Sequence, residues 1–347
     1  MNITLLAIES SCDDTSAAII QNGIILSNTI ANQTVHKEYG GVVPELASRS
    51  HQQNIVPVVD KAIKDAGISK QEIHAIAYTR GPGLLGSLLV GASFAKGFAL
   101  AHKCNMVEVN HLHAHVLANF IQTPTNTPPL PEFPFLCLLV SGGHTQIIVA
   151  RDFTDMEIIG TTIDDAAGEA FDKCAKILGL PYPGGPHIDA HAKKGNNTAF
   201  LFNKPKINGL DYSFSGLKTS VLYFLREQTK HNPHFIDEHI TDICASLQTT
   251  IIDILLDKLH KAVAQTGISE IVIGGGVAAN SELRNRISEE GTTHNWKTHI
   301  PERTYTTDNA AMIAVAGYYK YLNNEFADQS VTPKARYALS DYFTQKS

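Results

Sequence analysis

The sequence predicts an α/β protein made of two related halves. Three observations predict it: a strand–turn–hairpin pattern that occurs twice, helical stretches set between the strands, and a proline-rich segment separating the two copies. At 347 residues the chain is long enough for two domains, each with its own core.

The first copy opens the chain. Residues 3–8 are an apolar strand, Glu9-Ser10-Ser11-Cys12-Asp13-Asp14-Thr15 is a polar turn, and residues 16–20 are apolar again. Asn22-Gly23 signals a tight hairpin, since both residues accept positive φ, and a third strand follows over 24–30. The plan returns with a strand at 135–140, a tight loop at Ser141-Gly142-Gly143-His144, a strand at 145–151, a turn at 152–155 and a strand at 157–161. Between the copies, residues 122–131 carry too many prolines for a helix or a central strand. This segment is therefore read as a connection between two related domains. Helical patterns cover 45–66, 84–102, 166–178, 236–266, 281–288 and 308–323, and a strand at 271–273 runs into Gly274-Gly275-Gly276.

Composition narrows the class. Hydrophobic residues at 43% and charged residues at 18% are ordinary for a soluble globular protein. A net charge of −6 argues against a general basic coat for nucleic acid. A local basic groove stays open, because Lys37, Arg49, Lys61, Lys64, Arg80, Lys96 and Lys103 lie in the first third; scattered solvated charges are the plainer reading. Five cysteines, far apart and without a Cys-x-x-Cys pair, fit a reducing compartment. The first nine residues lack the basic start and apolar run of a signal peptide, and no stretch is expected to reach the length and apolarity of a membrane span, so the expected location is the cytoplasm.

His111 and His115 lie four residues apart in Asn110-His111-Leu112-His113-Ala114-His115. On a helix that step turns only about 40° round the axis, so both rings leave one face, while His113 sits roughly 200° from His111. Two neutral imidazoles so placed can share a metal ion; the alternative is a polar face with ordinary histidines. A zinc protease needs a glutamate directly after the first histidine as general base, and Leu112 stands there. What remains is a metal that positions a ligand, or a structural metal, and either needs a third ligand from elsewhere.

Three loops follow apolar strands, at 9–15, 141–145 and 274–280. Glycines let backbone N–H groups approach phosphate oxygens, and a helix N-terminus adds a favourable dipole. No Walker loop is present. Asp164, Asp165 and Glu169 precede or open a helix and are expected to cap it and complement its dipole.

Taken together, these segments resemble the universal tRNA threonylcarbamoyladenosine transferase family, once called glycoprotease-like. The resemblance runs over nearly the whole chain. It includes the 9–15 turn, Tyr39-Gly40-Gly41 through Arg49, Gly81-Pro82-Gly83-Leu84 and Asn110-His111 to His115. It continues with Leu139-Val140-Ser141-Gly142-Gly143-His144-Thr145, Gly168-Glu169-Ala170-Phe171-Asp172-Lys173 and Tyr182-Pro183-Gly184-Gly185-Pro186. Residues 211–218, 274–280 and Thr307-Asp308-Asn309-Ala310 complete it.

The resemblance implies a duplicated actin-like, Hsp70-like ATPase fold with the site in the cleft: an N-terminal lobe of residues 1–121 plus about 306–347, a connection at 122–134, and a C-terminal lobe at 135–305. It also implies that Asp308 joins His111 and His115 as ligands of one divalent metal, with Fe(2+) favoured and Zn(2+) the alternative. Leu139, Val140, Ser141, Gly142, Gly143, Asp172, Gly185, Asp189 and Asn280 would hold threonylcarbamoyl-adenylate, with the glycine loop near its phosphate and Asp172, Gly185 and Asp189 toward the ribose. The metal would lie near the phosphate and carbamoyl groups as a Lewis acid. The implied reaction moves the threonylcarbamoyl group to N6 of adenosine 37, in tRNAs reading codons that begin with A, and releases AMP. Glu9, Asp13 and His144 are candidates for steering the proton or the intermediate.

The implied partners are tRNA, a smaller non-catalytic paralogue forming a heterodimer, a small P-loop ATPase, and the enzyme that makes the adenylate; no membrane is implied. A phosphotransferase of the same fold would use a catalytic aspartate with magnesium rather than paired histidines, and a degenerate scaffold would not keep the metal residues. The chain departs from the commoner family pattern at His113 and Ala114, where glutamate and glycine are frequent, at Asn105 in place of a proline, and at Arg336-Tyr337-Ala338-Leu339 in place of Arg-Trp-Pro-Leu.

Overall fold

The structure, a computed structural model, describes residues 2–33, 36, 39 and 41–344; Lys37 and Gly40, singled out above, lie outside the described residues. The chain divides into two compact units. One comprises Met1–Pro131, Asp152–Met156 and Thr304–Ser347, the other Glu132–Arg151 and Glu157–Arg303.

The first unit is built on a five-stranded sheet. Strands β1 (Thr4–Glu9), β2 (Thr15–Gln21) and β3 (Ile24–Ala31) form an antiparallel meander, and β4 (Ala75–Gly81) and β5 (Asn105–Asn110) add parallel strands on the other side, in the order β3-β2-β1-β4-β5. The hairpin between β2 and β3 turns through Asn22 and Gly23, both at positive φ, as their side chains permit. Every residue of β1 is buried, which requires cover on both faces. Helices α1 (Pro44–Asp65) and α2 (Leu85–His102) cover one face, with Ile55, Val59, Ala92 and Ala95 against Leu6, Ile8 and Ile76. Helix α3 (His111–Leu117) leaves the end of β5 directly, and α9 (Ala310–Leu322) lies on the opposite face, where Gly317 comes so close to Ala77 that a Cβ would collide. Pro57 stands inside α1 on its exposed side, where water can serve the carbonyl it leaves unbonded.

The second unit repeats the plan. Strands β6 (Phe135–Val140), β7 (Thr145–Ala150) and β8 (Met156–Thr161) precede β9 (Glu270–Gly274) and β10 (Lys297–His299), in the order β10-β9-β6-β7-β8, with β6–β7 antiparallel and β6–β9–β10 parallel. Its helices are α4 (Ala167–Ile177), α5 (Gly184–Ala192), α6 (Ser215–His231), α7 (Phe235–Thr266) and α8 (Ser281–His294); the short α10 (Leu339–Thr344) closes the chain in the first unit. The core of this unit joins Leu136, Leu138, Ile147, Ile271 and Ile273 of the sheet to Phe171, Phe214, Leu247 and Ile251 of the helices.

Several elements differ from the sequence expectation. Strands β4, β5 and β10 and helices α5 and α6 form where the local pattern predicts none, and α8 continues to His294 rather than ending at 288. Both α2 and α7 reach the length and mean hydropathy of a membrane-crossing helix, contrary to the expectation that no segment would; α7 is mostly interior, its apolar residues being those of a core helix. Asp164 caps a different helix from the one expected. Its carboxylate accepts from Phe214 N (2.7 Å), Ser215 N (3.2 Å) and Ser215 Oγ (2.9 Å) at the start of α6, fifty residues on. The start of α4 is held instead by Thr145 Oγ1, which accepts from Ala167 N at 2.9 Å, and by Ser141 O, which accepts from Gly168 N at 3.2 Å. Asp165 and Glu169 pair with Lys173.

Gly275, just beyond β9, has φ +84°, and a Cβ there would run into the Val140 carbonyl oxygen. Gly275→Ala is expected to lower stability by about 2–4 kcal/mol, from backbone strain plus the collision. Urea unfolding measures it, and a loss below about 0.5 kcal/mol, the range of neutral surface changes, would refute the strain argument.

Candidate metal centre and nucleotide loops

The first unit gathers its chemistry at the carboxyl ends of its parallel strands. Asn110 ends β5 and caps α3, its side-chain oxygen accepting from Leu112 N (2.9 Å) and His113 N (3.2 Å). Its amide also donates to Tyr337 O at 3.2 Å, so the departing C-terminal segment is tied to the same turn. With the helix beginning at residue 111, His111 and His115 fall on one face. Their Nε2 atoms lie 3.1 Å apart, and Asp308 Oδ1 is 3.4 Å from the first and 3.3 Å from the second. Asp308 immediately precedes Asn309, whose side chain caps α9.

Glu9, at the end of β1, is fully buried. One carboxylate oxygen accepts from Ser11 N (2.5 Å), and the other from Thr79 Oγ1 (2.5 Å) and His111 Nδ1 (3.1 Å). Ser11 Oγ lies 3.2 Å from the same ring nitrogen. This carboxylate therefore fixes the His111 tautomer and ring orientation, with Nε2 left to face Asp308 and His115.

The electrostatics suit a cation. Burial opposes ionisation of both carboxyls, yet His111 holds Glu9 below its ordinary value, and His111 and His115 hold Asp308 far below it. Burial likewise penalises the His111 cation, but Asp308 and Glu9 outweigh it and push its pKa up to about 10. For His115 burial wins, and its pKa is lowered. A proton on His111 offsets one of the two negative charges; a divalent cation among the three facing ligand atoms offsets both. Two imidazole nitrogens and a carboxylate oxygen, within 4.8 Å of one another, are a donor set for iron or zinc.

His113 points away, its Nε2 donating to Phe153 O at 2.7 Å with its ring beside Tyr342. The unusual residue inside the histidine motif thus serves packing. Asn105 opens β5 and donates its N–H to His74 O at 3.1 Å, a bond that a proline there would lack. Tyr337, buried, lies under Arg80 and Lys334. Asp13 is half-buried beside Asp14, whose pKa rises to about 6 through burial and the neighbouring Asp13. Of the cations of the first third, Lys61 and Lys64 pair with Asp65 and Asp60 on α1, Arg80 turns to Glu108, and Lys96 donates to Gln329 O.

The second unit holds the expected nucleotide loops. Leu139 and Val140 end β6 and are fully buried; Leu139 pairs with Gln146 and Gly274, and Val140 with Thr145. Exposure begins beyond them. Ser141 Oγ accepts from Gly143 N (3.3 Å) and His144 N (3.1 Å), leaving Gly142 and Gly143 with open space where a side chain would be. His144 is half-buried. Asp172, on α4, accepts from Gly184 N at 2.7 Å and so caps α5, and burial raises its pKa against the pull of the Gly184 and Gly185 N–H groups. Asp189, near the end of α5, accepts from Ser281 Oγ at 2.6 Å and Ser281 N at 3.2 Å. Asn280 caps α8 through Leu283 N (3.0 Å) and donates to Gln248 Oε1 (2.7 Å). Asp189 and Asn280 therefore meet at the start of α8, beside a cavity of about 500 Å³ lined by Lys193, Asn196, Gln248, Ser281 and Asn285. Sequence reasoning missed Thr79, Gln248 and Ser281. The only signal for Gln248 was a polar residue in the apolar stretch of α7.

The tRNA N6-adenosine threonylcarbamoyltransferase family matches residues 24–315. The tRNA N6-adenosine threonylcarbamoyltransferase of Porphyromonas gingivalis is 60% identical over 335 residues, covering 96% of this chain and 98% of that protein. Among solved structures, full-length HypF in its phosphate- and nucleotide-bound form superposes with a TM-score of 0.60 at 13% identity, over 95% of this chain and 47% of that one. Component A of the Acidaminococcus fermentans (R)-2-hydroxyglutaryl-CoA dehydratase gives 0.52 at 16% identity, over 93% and 99%. At such identities the likeness speaks for the fold, the duplicated actin-like, Hsp70-like ATPase architecture. By sequence, the chain belongs to the tRNA N6-adenosine threonylcarbamoyltransferase family.

Proposed function

We propose that this chain transfers the threonylcarbamoyl group of threonylcarbamoyl-adenylate to N6 of adenosine 37, in tRNAs reading codons that begin with A. Membership of the family carries the activity, tRNA threonylcarbamoyladenosine formation. The buried group of His111, His115 and Asp308, oriented by Glu9, is the observation that supports the chemistry. The adenosine N6 attacks the carbamoyl carbon, the bond from that carbon to the phosphate oxygen breaks, and AMP leaves with the electron pair as N6 loses a proton.

His111, His115 and Asp308 hold a divalent metal, iron in preference to zinc, which when bound supplies a Lewis acid for the developing negative charge. Glu9 is a positioning residue: it orients the His111 ring and is closed off from substrate by its own burial. In the second unit, the open backbone at Gly142 and Gly143, set by Ser141, takes the phosphate of the adenylate. Leu139 and Val140 act through the strand that ends there. Asp172, Gly185, Asp189 and Asn280 shape the nucleoside side, and Ser281 and Gln248 hold the last two in place. Asp13 and His144 steer the N6 proton.

The smaller paralogue docks on the face carrying Tyr39, α1 and α2, where Tyr39, Val56, Leu85 and Leu89 are exposed. A small P-loop ATPase and the adenylate-forming enzyme complete the cytoplasmic pathway.

Incubating the chain with threonylcarbamoyl-adenylate and unmodified tRNA, with and without these partners, followed by nucleoside analysis, tests the reading. His111→Ala is expected to cut product formation by about a hundredfold or more while leaving the circular dichroism spectrum unchanged. Full transfer by a folded, metal-free variant would sink the metal role. Glu9→Gln is expected to weaken metal binding by about ten- to hundredfold, measured by competition with a chelator, because the ligand keeps its place but loses its charged partner. Unchanged affinity would remove Glu9 from its positioning role.

A further inference from the structure

A second set of metal-ligating atoms converges in the second unit, on residues the transfer chemistry does not use. His260, Glu290 and His294 bring two imidazole nitrogens and a carboxylate oxygen within 4.8 Å of one another. His260 lies on α7, while Glu290 and His294 lie one turn apart on the last turns of α8 and so share a face. His260 Nε2 is 3.0 Å from Glu290 Oε2, and His294 Nε2 is 3.1 Å from that same oxygen. The two rings stand 4.9 Å apart at 77°. Trp296 packs on both, with ring centroids at 4.8 Å and 5.4 Å, and is itself only 8% exposed.

The backbone explains why the three meet. Asn295 takes a left-handed conformation at φ 56° and ends α8 by donating to Gly291 O; Trp296 N donates to the same carbonyl at 3.0 Å. That turn folds the indole under the imidazoles and fixes their planes. Carbonyls at the end of α8 add negative potential beside His294. A tetrahedral site with metal–nitrogen bonds of about 2.0–2.1 Å has ligand–ligand edges of about 3.3 Å, so the two nitrogen–oxygen edges, at 3.0 Å and 3.1 Å, need to open by only a few tenths of an ångström. Two imidazolium or imidazole donors sharing one carboxylate would show the same distances; a cation replaces their protons and lets both nitrogens act as ligands.

We propose that His260, Glu290 and His294 form a second metal site, for a borderline divalent cation of the zinc class, clamping α7 to the end of α8. The half-exposed imidazoles leave the fourth position to water.

Trp296 is the only tryptophan in the chain and packs on both imidazoles, so its emission reports on this site. The full-length protein, stripped with a chelator, is titrated with Ni2+, which quenches a neighbouring indole, and then with Zn2+ as a non-quenching competitor. The expected result is saturable quenching that Zn2+ reverses and that His111→Ala retains. His294→Gln and His260→Asn, on separate helices, are each expected to shift it to at least about tenfold higher Ni2+, since even outer partners of a metal site cost that much. Each variant's transfer activity and unfolding curve report whether it is folded, and zinc content by mass spectrometry should fall by one equivalent per chain in either. Quenching in the wild type that never saturates, or folded variants that quench and load zinc like the wild type, would overturn the proposal.

Discussion

Two ionised carboxylates, Glu9 and Asp308, stand against two buried imidazoles, and the first unit is arranged to hold that charge in place. Leaving it unbalanced in the interior would cost several kcal/mol per charge, so a proton or a metal must sit among them. The supports come from different parts of the chain: the end of β1 carries Glu9, β4 carries Thr79, the junction of β5 and α3 carries the histidines, and the residue before the α9 cap carries Asp308. Since β1, β4 and β5 run parallel, their carboxyl ends share one edge of the sheet. That edge is where α/β sheets commonly place their chemistry.

The second unit uses the same strand order for a different purpose. Its parallel neighbours β6 and β9 end in Ser141-Gly142-Gly143 and in Gly274-Gly275, where the first sheet ends in acidic and imidazole groups. Gly275 accepts a positive φ so that its backbone can lie against Val140, and Ser141 ties the loop before α4 to itself and to the helix start. One unit thus presents charged and imidazole side chains and the other an exposed glycine backbone, from a common topology.

Much of this was legible in the sequence, and the misses have identifiable causes. Four-residue spacing put His111 and His115 on one face because helix geometry is local. The Asn22-Gly23 hairpin and the two strand triplets were legible for the same reason. Strand β5 was not, since Asn-Met-Val-Glu-Val-Asn has charge and amide at positions that only its neighbours make tolerable. Helix α5 begins Gly-Gly-Pro, which reads as a turn, and it forms because Asp172 from α4 caps it. Asp164 looked like a cap for the helix beside it but serves α6.

By itself the sequence determined the α/β class, the duplication, the imidazole pair and, through its ordered motifs, the family. Those properties depend on residues near one another in the chain or on the pattern as a whole. Only the tertiary structure decided that Glu9 is an orienting partner of His111, that Gln248 and Ser281 hold Asn280 and Asp189, and that His260 meets Glu290 and His294 beside Trp296. Each of those contacts joins side chains tens of residues or more apart, brought within hydrogen-bond distance by sheet pairing and helix packing that no local pattern encodes.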